Sequence, residues 1–279
     1  MLAHALRSPD RRSRCPFGAD TPDVDPAPPG FFCAPDDDGG LIIPPHRADR
    51  RATAERVHRW LLHRVEPDRH PCVAARSAFN SDSYRFGVYS ALGSPEATAG
   101  LAADLERFAL GVGEANGEPA ADLSDYATFV AVFDAPLPRS RNDDAEVAFE
   151  RALWEQLQAL HDVDARGWDP RTSPDASHKD FSFSFAGRSF YIIGMHPDAS
   201  RPARRFPRPA LVFNLHAQFE RLRETGSYEK MRDLIRERDT QQTGDMNPML
   251  ADFGKRSEAV QYSGRAVAGA WRCPFHAGE

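Results

Sequence analysis

Apolar residues recur at helical spacing in several stretches of the chain. In "DAEVAFERALWEQLQALHDVDA" they predict a helix with one apolar stripe, made of Val147, Leu153, Trp154, Leu157 and Leu160. "RATAERVHRWLLHRV" has the same period. Ser94-Pro95 predicts another helix start, because serine caps free N–H groups and proline fits the first turn. Two more helices are predicted for "AQFERLRETG" and "YEKMRDLIRERD".

Other stretches have the composition or the alternation of β-strands. "YATFVAVFD" (126–134) is aromatic and β-branched, which predicts a buried strand. In "DFSFSFAGRSFYIIGMH" phenylalanines alternate with serines before Ala186-Gly187 and an apolar run follows, so we predict a hairpin that turns at these two residues. "ALVFN" predicts another short strand, and "HPCVAARSAFNSDSYRFGVYSAL" begins like a turn and continues as a possible strand.

Helices and strands are therefore mixed. We predict an α+β fold, in which 48–279 form a single domain with a mixed, partly antiparallel sheet covered by helices. Residues 1–47 are rich in proline and charge, as in "TPDVDPAPPGFFCAPDDDGG", without a sustained period. Such a composition buries too little apolar surface to offset the entropy of ordering, so a flexible or surface-laid N-terminal arm is predicted there.

Composition narrows the class of protein. The chain of 279 residues has 41% hydrophobic and 27% charged residues, no apolar run long enough to span a membrane and no apolar stretch typical of a signal peptide near its start. A cytoplasmic location without membrane partners is expected. The net charge of −6 argues against a general nucleic-acid binder. The four cysteines, Cys15, Cys33, Cys72 and Cys273, form no C-x-x-C pair and are expected to be free thiols.

Several enzyme classes lose support because their motifs are missing. The sequence contains no G-x-x-x-x-G-K-[ST], no G-x-G-x-x-G after a strand, no H-E-x-x-H and no G-x-S-x-G. Phosphate-loop NTPases, nicotinamide dehydrogenases of the common type, zincins and serine hydrolases are therefore disfavoured.

The strongest concentration of candidate chemistry lies in "GMHPDASRPARRFPRPALVFNLH" (194–216). Two predicted strands each end near a histidine, His196 and His216, and the loop between them carries Arg201, Arg204, Arg205 and Arg208. Arginines in a short loop suit bidentate pairing with carboxylates or phosphates. The segment thus indicates a site for an anionic ligand or for a cofactor with carboxylate arms. The alternative is that the histidines are half-buried structural residues and the arginines form a solvated face.

Two further places combine polar and apolar groups. The first is His70-Pro71-Cys72 together with Arg85, where Cys72 is either a small buried residue or a reactive thiol. The second is "WRCPFH" near the end, where Cys273 and His276 are either ligands or part of a terminal clasp in which Trp271, Pro274 and Phe275 pack on the core. We favour the clasp.

Long strings in a consistent order add a family resemblance. "FSFSFAGRSFYIIGMHPDASRPARRFPRPALVFNLHAQFERLRETGSYEKM", "IRERDTQQTGDMNPMLADFGKRSEAVQYSGR" and "WRCPF" resemble the YqcI/YcgG family and, within it, the heme-dependent N-hydroxylases of guanitoxin biosynthesis. The resemblance spans about 50–276. It implies an enzyme that carries heme b and oxidises a nitrogen of a small guanidine- or amine-bearing metabolite with O2 or peroxide, with a possible electron donor. A non-catalytic heme buffer or sensor and a metal-free binding module are the alternatives.

The resemblance also suggests roles for the candidate residues. A heme needs an axial side chain, cations for two propionates and an apolar slot. We expect His216 as the axial ligand, with His196, Cys273 and Cys72 as alternatives, and His196 as a distal proton donor. The expected propionate partners are Arg201, Arg204 and Arg205, and Arg85 is grouped with them. Glu220, Asp252 and Glu258 are the carboxylates considered for a cationic substrate.

Overall fold

A five-stranded sheet forms the centre of the protein. The computed structural model describes residues 30–66, 70–111, 126–137, 143–245, 254–267, 269 and 271–278. Two short strands pair near the start, β1 (Ala34–Pro35) and β2 (Leu41–Ile42). The main sheet has the order β3-β4-β7-β6-β5, and its strands are β3 (Tyr84–Tyr89), β4 (Thr128–Phe133), β5 (Phe183–Phe185), β6 (Arg188–Met195) and β7 (Ala210–Leu215).

Only β3 and β4 run parallel, and the other neighbours in the sheet are antiparallel. The α-helices of the described residues are α1 (Arg51–Arg64), α2 (Val73–Asn80), α3 (Pro95–Ala109), α4 (Ala145–Val163), α5 (His216–Glu224), α6 (Ser227–Thr243) and α7 (Ala259–Tyr262). The predicted α+β class with a mixed sheet is therefore confirmed. Among the described helices, none has both the length and the apolarity needed to cross a bilayer.

Helices cover both faces of the sheet. On one face α3 and α4 pack over the alternating side chains that include Phe129, Phe190 and Phe213. The opposite face carries Val130, Val212 and Ile193, and α1, α2, α5 and α6 lie on that side. Because successive side chains of a strand point to opposite faces, each strand contributes both to the core under α3 and α4 and to the second side.

Two predicted local signals are found in the structure. Ser94 caps α3 by accepting a hydrogen bond from the Ala97 N–H. The β5–β6 hairpin turns at Ala186 and Gly187, whose φ angles of 53° and 71° lie in the left-handed region that a tight hairpin turn with the right twist requires.

Two regions differ from the sequence-based prediction. Part of the possible strand in "HPCVAARSAFN" is α2, because Cys72 caps its first turn and alanines favour helix. Part of the predicted arm is core: Phe31, Phe32 and Cys33 are buried. Cys33 also exchanges two backbone hydrogen bonds with Phe86 of β3 and so covers that edge of the sheet. Residues 1–29 lie outside the described residues.

Candidate functional site

A cavity of about 280 Å³ lies between the sheet and the helices α1, α2, α5 and α6. Strands β4, β6 and β7 provide its floor. The walls are mostly apolar and include Leu61, Val65, Ala78, Phe79, Val130, Ile193, Met195, Val212, Phe219, Leu222, Met231 and Ile235. An apolar concavity with a few polar groups is the usual form of a small-molecule site. This cavity is therefore the candidate functional site.

Six arginines of the described residues line this cavity: Arg64, Arg201, Arg204, Arg223, Arg232 and Arg236. Arg204 is buried and donates hydrogen bonds to the carbonyls of Gly194, Gln261 and Tyr262, at 3.1, 2.9 and 3.1 Å. Burial lowers the pKa of Arg204. Its guanidinium thus fixes the backbone of α7 against β6.

Arg201 connects the 202–204 turn to the end of α6. Its guanidinium pairs with Asp239 at 3.2 Å and with Asp245 at 3.1 Å, and it also donates to the Thr243 hydroxyl. Arg201 and Arg204 are both predicted propionate partners. Each makes hydrogen bonds or ion pairs within the protein, and each also lines the cavity.

His70 and Cys72 line the same cavity, just before α2. The Cys72 N–H donates to Nδ1 of His70 at 3.0 Å, so the neutral ring carries its proton on Nε2. Burial lowers the pKa of His70 to about 3, and the charges of Arg64 and Arg204 contribute to the decrease. The thiol of Cys72 accepts a hydrogen bond from the Ala75 N–H, and burial raises its pKa.

A carboxyl group, Glu258, lies at the α7 end of the cavity and is 6% exposed. Its Oε2 atom is buried and accepts no hydrogen bond from the described residues. Burial raises the pKa of Glu258 to about 8, and the nearby hydroxyls of Ser182 and Tyr262 oppose the increase. Beside it, the Tyr191 hydroxyl donates to Oε1 of Gln261 at 3.0 Å. Among the described residues, the cavity therefore has two buried acids beside several guanidinium groups: Asp239, which pairs with Arg201, and Glu258, for which no ion pair is found.

The structure does not bring His196 and His216 together. Strands β6 and β7 are antiparallel, so His196 follows the end of β6 at Met195, opposite Ala210, and His216 follows Leu215 at the other end of β7. Six residues of strand separate the two ends by about 20 Å. Neither histidine lines the cavity.

Each of these histidines has a local structural environment. His196 is buried and stacks on Phe149 of α4 at 4.4 Å between ring centroids, on the face of the sheet away from the cavity. His216 begins α5, and its Nε2 lies 3.1 Å from Oε1 of Glu220. Burial lowers the pKa of His216, against the effect of Glu220.

Arg85 and Arg205 also lie outside the cavity lining. Arg205 donates to the carbonyls of Ala199 and Ser200 at 2.8 and 3.0 Å. Arg85 donates to the carbonyls of Asp82 and Tyr84 at 2.9 and 2.8 Å. Both guanidinium groups therefore brace local backbone.

The terminal string "WRCPFH" packs against α4, on the other face of the sheet. Phe275 is buried within a cluster of rings that contains Trp154, His161, Trp168, Phe181 and Phe183. Cys273 does not line the cavity, and burial raises its pKa to about 12. The string has the contacts of a clasp.

Sequence reasoning missed the cavity itself, with Arg64, Asp239, Tyr191 and Gln261 in its wall. His70 was considered only because it lies two residues before Cys72 in the sequence. This spacing was the signal that could have indicated its place in the cavity. Glu258 was among three carboxylates considered. Of the other two, Glu220 is outside the lining and Asp252 lies outside the described residues. Within those described residues, no group of three or more histidine, cysteine, aspartate or glutamate side chains is arranged to hold a metal ion.

Comparison with known proteins identifies the class. The YqcI/YcgG family matches residues 61–276, and the chain therefore belongs to that family. It is 25% identical over 189 residues to the uncharacterized protein YqcI of Bacillus subtilis (strain 168), which covers 67% of this chain and 71% of that protein. No solved structure matches the chain significantly.

Proposed function

We propose that the protein is a heme-dependent N-oxygenase, which oxidises a nitrogen of a small guanidine- or amine-bearing molecule with O2 or peroxide. The observation that carries the proposal is the cavity, whose lining combines apolar walls, several guanidinium groups, a histidine and two buried carboxyl groups, of which Asp239 is paired with Arg201 and Glu258 is not ion-paired among the described residues. The resemblance of the sequence to the N-hydroxylases of guanitoxin biosynthesis supports the same activity.

The side chains around the cavity fit heme b in their chemistry. A porphyrin requires apolar contacts, cations for its propionates and a donor for iron. The apolar residues and the arginines meet the first two needs, and His70 supplies the third. Cys72 is the second donor in the lining, but the raised pKa of its thiol disfavours the thiolate that would bind iron.

The volume of the cavity sets a condition on this fit. At about 280 Å³ the cavity is close to the lower limit for ligand pockets, which suits a small metabolite better than a macrocycle. The pair α5–α6 forms one wall, and α6 packs mainly on α5, α2 and the 202–204 turn. We therefore expect heme binding to require an outward shift of α6.

The polar residues have separate tasks in the proposed reaction. A bound heme would supply activation of O2 or peroxide next to the substrate nitrogen. Glu258 would pair with the cationic group of the substrate. Tyr191 and Gln261 are joined by a hydrogen bond beside it and would hold the orientation of that group. The apolar walls exclude water, which strengthens the charge pairing.

Heme reconstitution tests the proposal. The purified protein is titrated with hemin, and we expect a Soret band that shifts when a guanidine or an alkyl amine is added. Turnover with O2 and a reductant, or with peroxide, is expected to give an N-hydroxylated product detected by mass spectrometry. Absence of heme binding contradicts the proposal. A six-coordinate spectrum that neither substrate nor CO changes would instead indicate the heme buffer or sensor.

A further inference from the structure

Glu258 is a buried acid to which the described part of the chain brings no countercharge within hydrogen-bond distance. It is 6% exposed, its Oε2 has no hydrogen-bond partner, and no ion pair of Glu258 is found among the described residues. An ionised carboxylate is costly in such a place, and a group of this kind takes up a proton instead. Glu258 also belongs to the lining of the cavity, so a bound ligand can lie beside its carboxyl group.

The groups around Glu258 leave the neutral acid favoured. Tyr262 approaches it from α7, Tyr191 from β6, and Arg223 and Glu220 from α5. Burial is the largest influence and raises the pKa to about 8. Glu220 adds to this increase, whereas the Ser182 hydroxyl, the charge of Arg223 and the Tyr262 hydroxyl oppose it without reversing it. At neutral pH Glu258 is therefore a protonated carboxylic acid in the cavity wall. A cation that binds beside it can take the place of this proton.

We propose that Glu258 is protonated in the ligand-free cavity and releases its proton to solvent when an organic cation binds beside it. The O–H bond of the acid breaks, the proton passes to the buffer, and an N–H···O⁻ ion pair replaces it, without any change of oxidation state. The inference rests on the proposed function in one respect, namely that the substrate carries a positive charge. It makes binding selective for cations and dependent on pH.

The direction of the pH dependence follows from this exchange. Below the pKa of about 8 the cation must displace one proton, so its affinity falls about tenfold for each unit that the pH decreases. Above that pKa the carboxylate is already ionised and the affinity becomes constant. A neutral ligand of the same shape shows neither effect.

Guanidinium and urea form a matched pair of probes, because they share a shape and differ in charge. Binding of each at millimolar concentration is measured by isothermal titration calorimetry at pH 6.5 in two buffers of different ionisation enthalpy, using protein without heme. We expect guanidinium to release close to one proton and urea to release none. From pH 6 to 9 the affinity for guanidinium should rise and then level off.

Two variants separate Glu258 from a general effect of charge. Glu258→Gln should abolish proton release and weaken guanidinium at least tenfold. Glu155→Gln is the control, an acid-to-amide change on the exposed side of α4, and should change neither. The inference is overturned if guanidinium does not bind wild-type protein, binds without proton release, or behaves alike in Glu258→Gln. Since heme is absent from these titrations, their outcome is independent of whether the protein proves to be an oxygenase.

Discussion

The backbone N–H of Cys72 donates a hydrogen bond to Nδ1 of His70 over 3.0 Å. This contact orients the only histidine ring of the described residues that lines the cavity, and it keeps the proton on Nε2. If His70 held the proposed heme through Nε2, its proton would have to move to Nδ1, and the hydrogen bond from Cys72 would be lost. In the proposed heme complex, heme loading would therefore be coupled to the position of the segment before α2.

This expected coupling predicts which histidine substitution lowers the affinity for heme. His70→Ala should lower the affinity for hemin at least tenfold and change the ligand field, because it removes the cavity-facing donor. His216→Ala is the matched control, since that ring faces Glu220 rather than the cavity. Soret titrations and the spectra of the ferrous-CO complex measure both effects. Loss of the Soret band in His216→Ala alone would return the axial role to His216.

The clasp at the end of the chain should be important for stability. Phe275 is 3% exposed among aromatic rings, so Phe275→Ala should lower the free energy of unfolding by about 3–5 kcal/mol. Arg272→Ala, at an exposed neighbour, should change it by less than about 0.5 kcal/mol. Urea denaturation measures both, and equal losses would show that the clasp does not depend on the buried ring.

Gly194 lies where β6 passes close to α4 and α7. A Cβ atom at this position would lie 2.6 Å from Cε1 of Phe149, 2.8 Å from the Tyr262 carbonyl oxygen and 2.9 Å from Cδ1 of Leu153. Gly194→Ala should therefore lower the free energy of unfolding by about 1–3 kcal/mol through overpacking.

Gly167→Ala provides the comparison for Gly194→Ala, because an added Cβ at Gly167 has no atom within 4 Å. We expect no loss of stability in this control, measured by the midpoint of chemical denaturation. A Gly194→Ala protein as stable as wild type would show that α4 and α7 can move away from the strand.

Asp104, which accepts a hydrogen bond from the Phe31 N–H, should make the stability of the fold depend on pH. Asp104 accepts hydrogen bonds from the Tyr89 hydroxyl at 2.7 Å and from the Phe31 N–H, and burial raises its pKa to about 6. The folded protein therefore binds this proton more tightly than the unfolded chain does. The stabilisation is complete below about pH 4 and is lost as the pH rises through 6.

Asp104→Asn should remove this part of the pH dependence. The free energy of unfolding is measured for the variant and for wild type from pH 4 to 7.5. The variant's value minus the wild-type value should increase by up to about 3 kcal/mol over this range, since one pKa unit corresponds to about 1.4 kcal/mol. Asp49→Asn, at an exposed site, is the control and should follow wild type. Parallel curves for wild type and Asp104→Asn would contradict the assignment to Asp104.

Local signals in the sequence predicted much of the fold because their causes are local. The Ser94 cap depends on one side chain and one N–H within the same turn, and the Ala186-Gly187 turn depends on the backbone of two residues. The helix α2 was missed because its start relies on Cys72 as a cap, and cysteine is not among the residues that favour this position. Phe31 and Phe32 were assigned to an arm because composition does not reveal that they pack beside β3.

The sequence by itself determined the α+β class, the hairpin, the main helices and membership of the family. Only the tertiary structure decided which polar residues share a space. The sequence predicts that His196 and His216 each follow the end of a strand. The antiparallel pairing of β6 and β7 places these two histidines at opposite ends of the sheet. His70, Arg204 and Glu258 come from distant parts of the chain and line one cavity, because strand order and helix packing, which no local pattern encodes, bring them together.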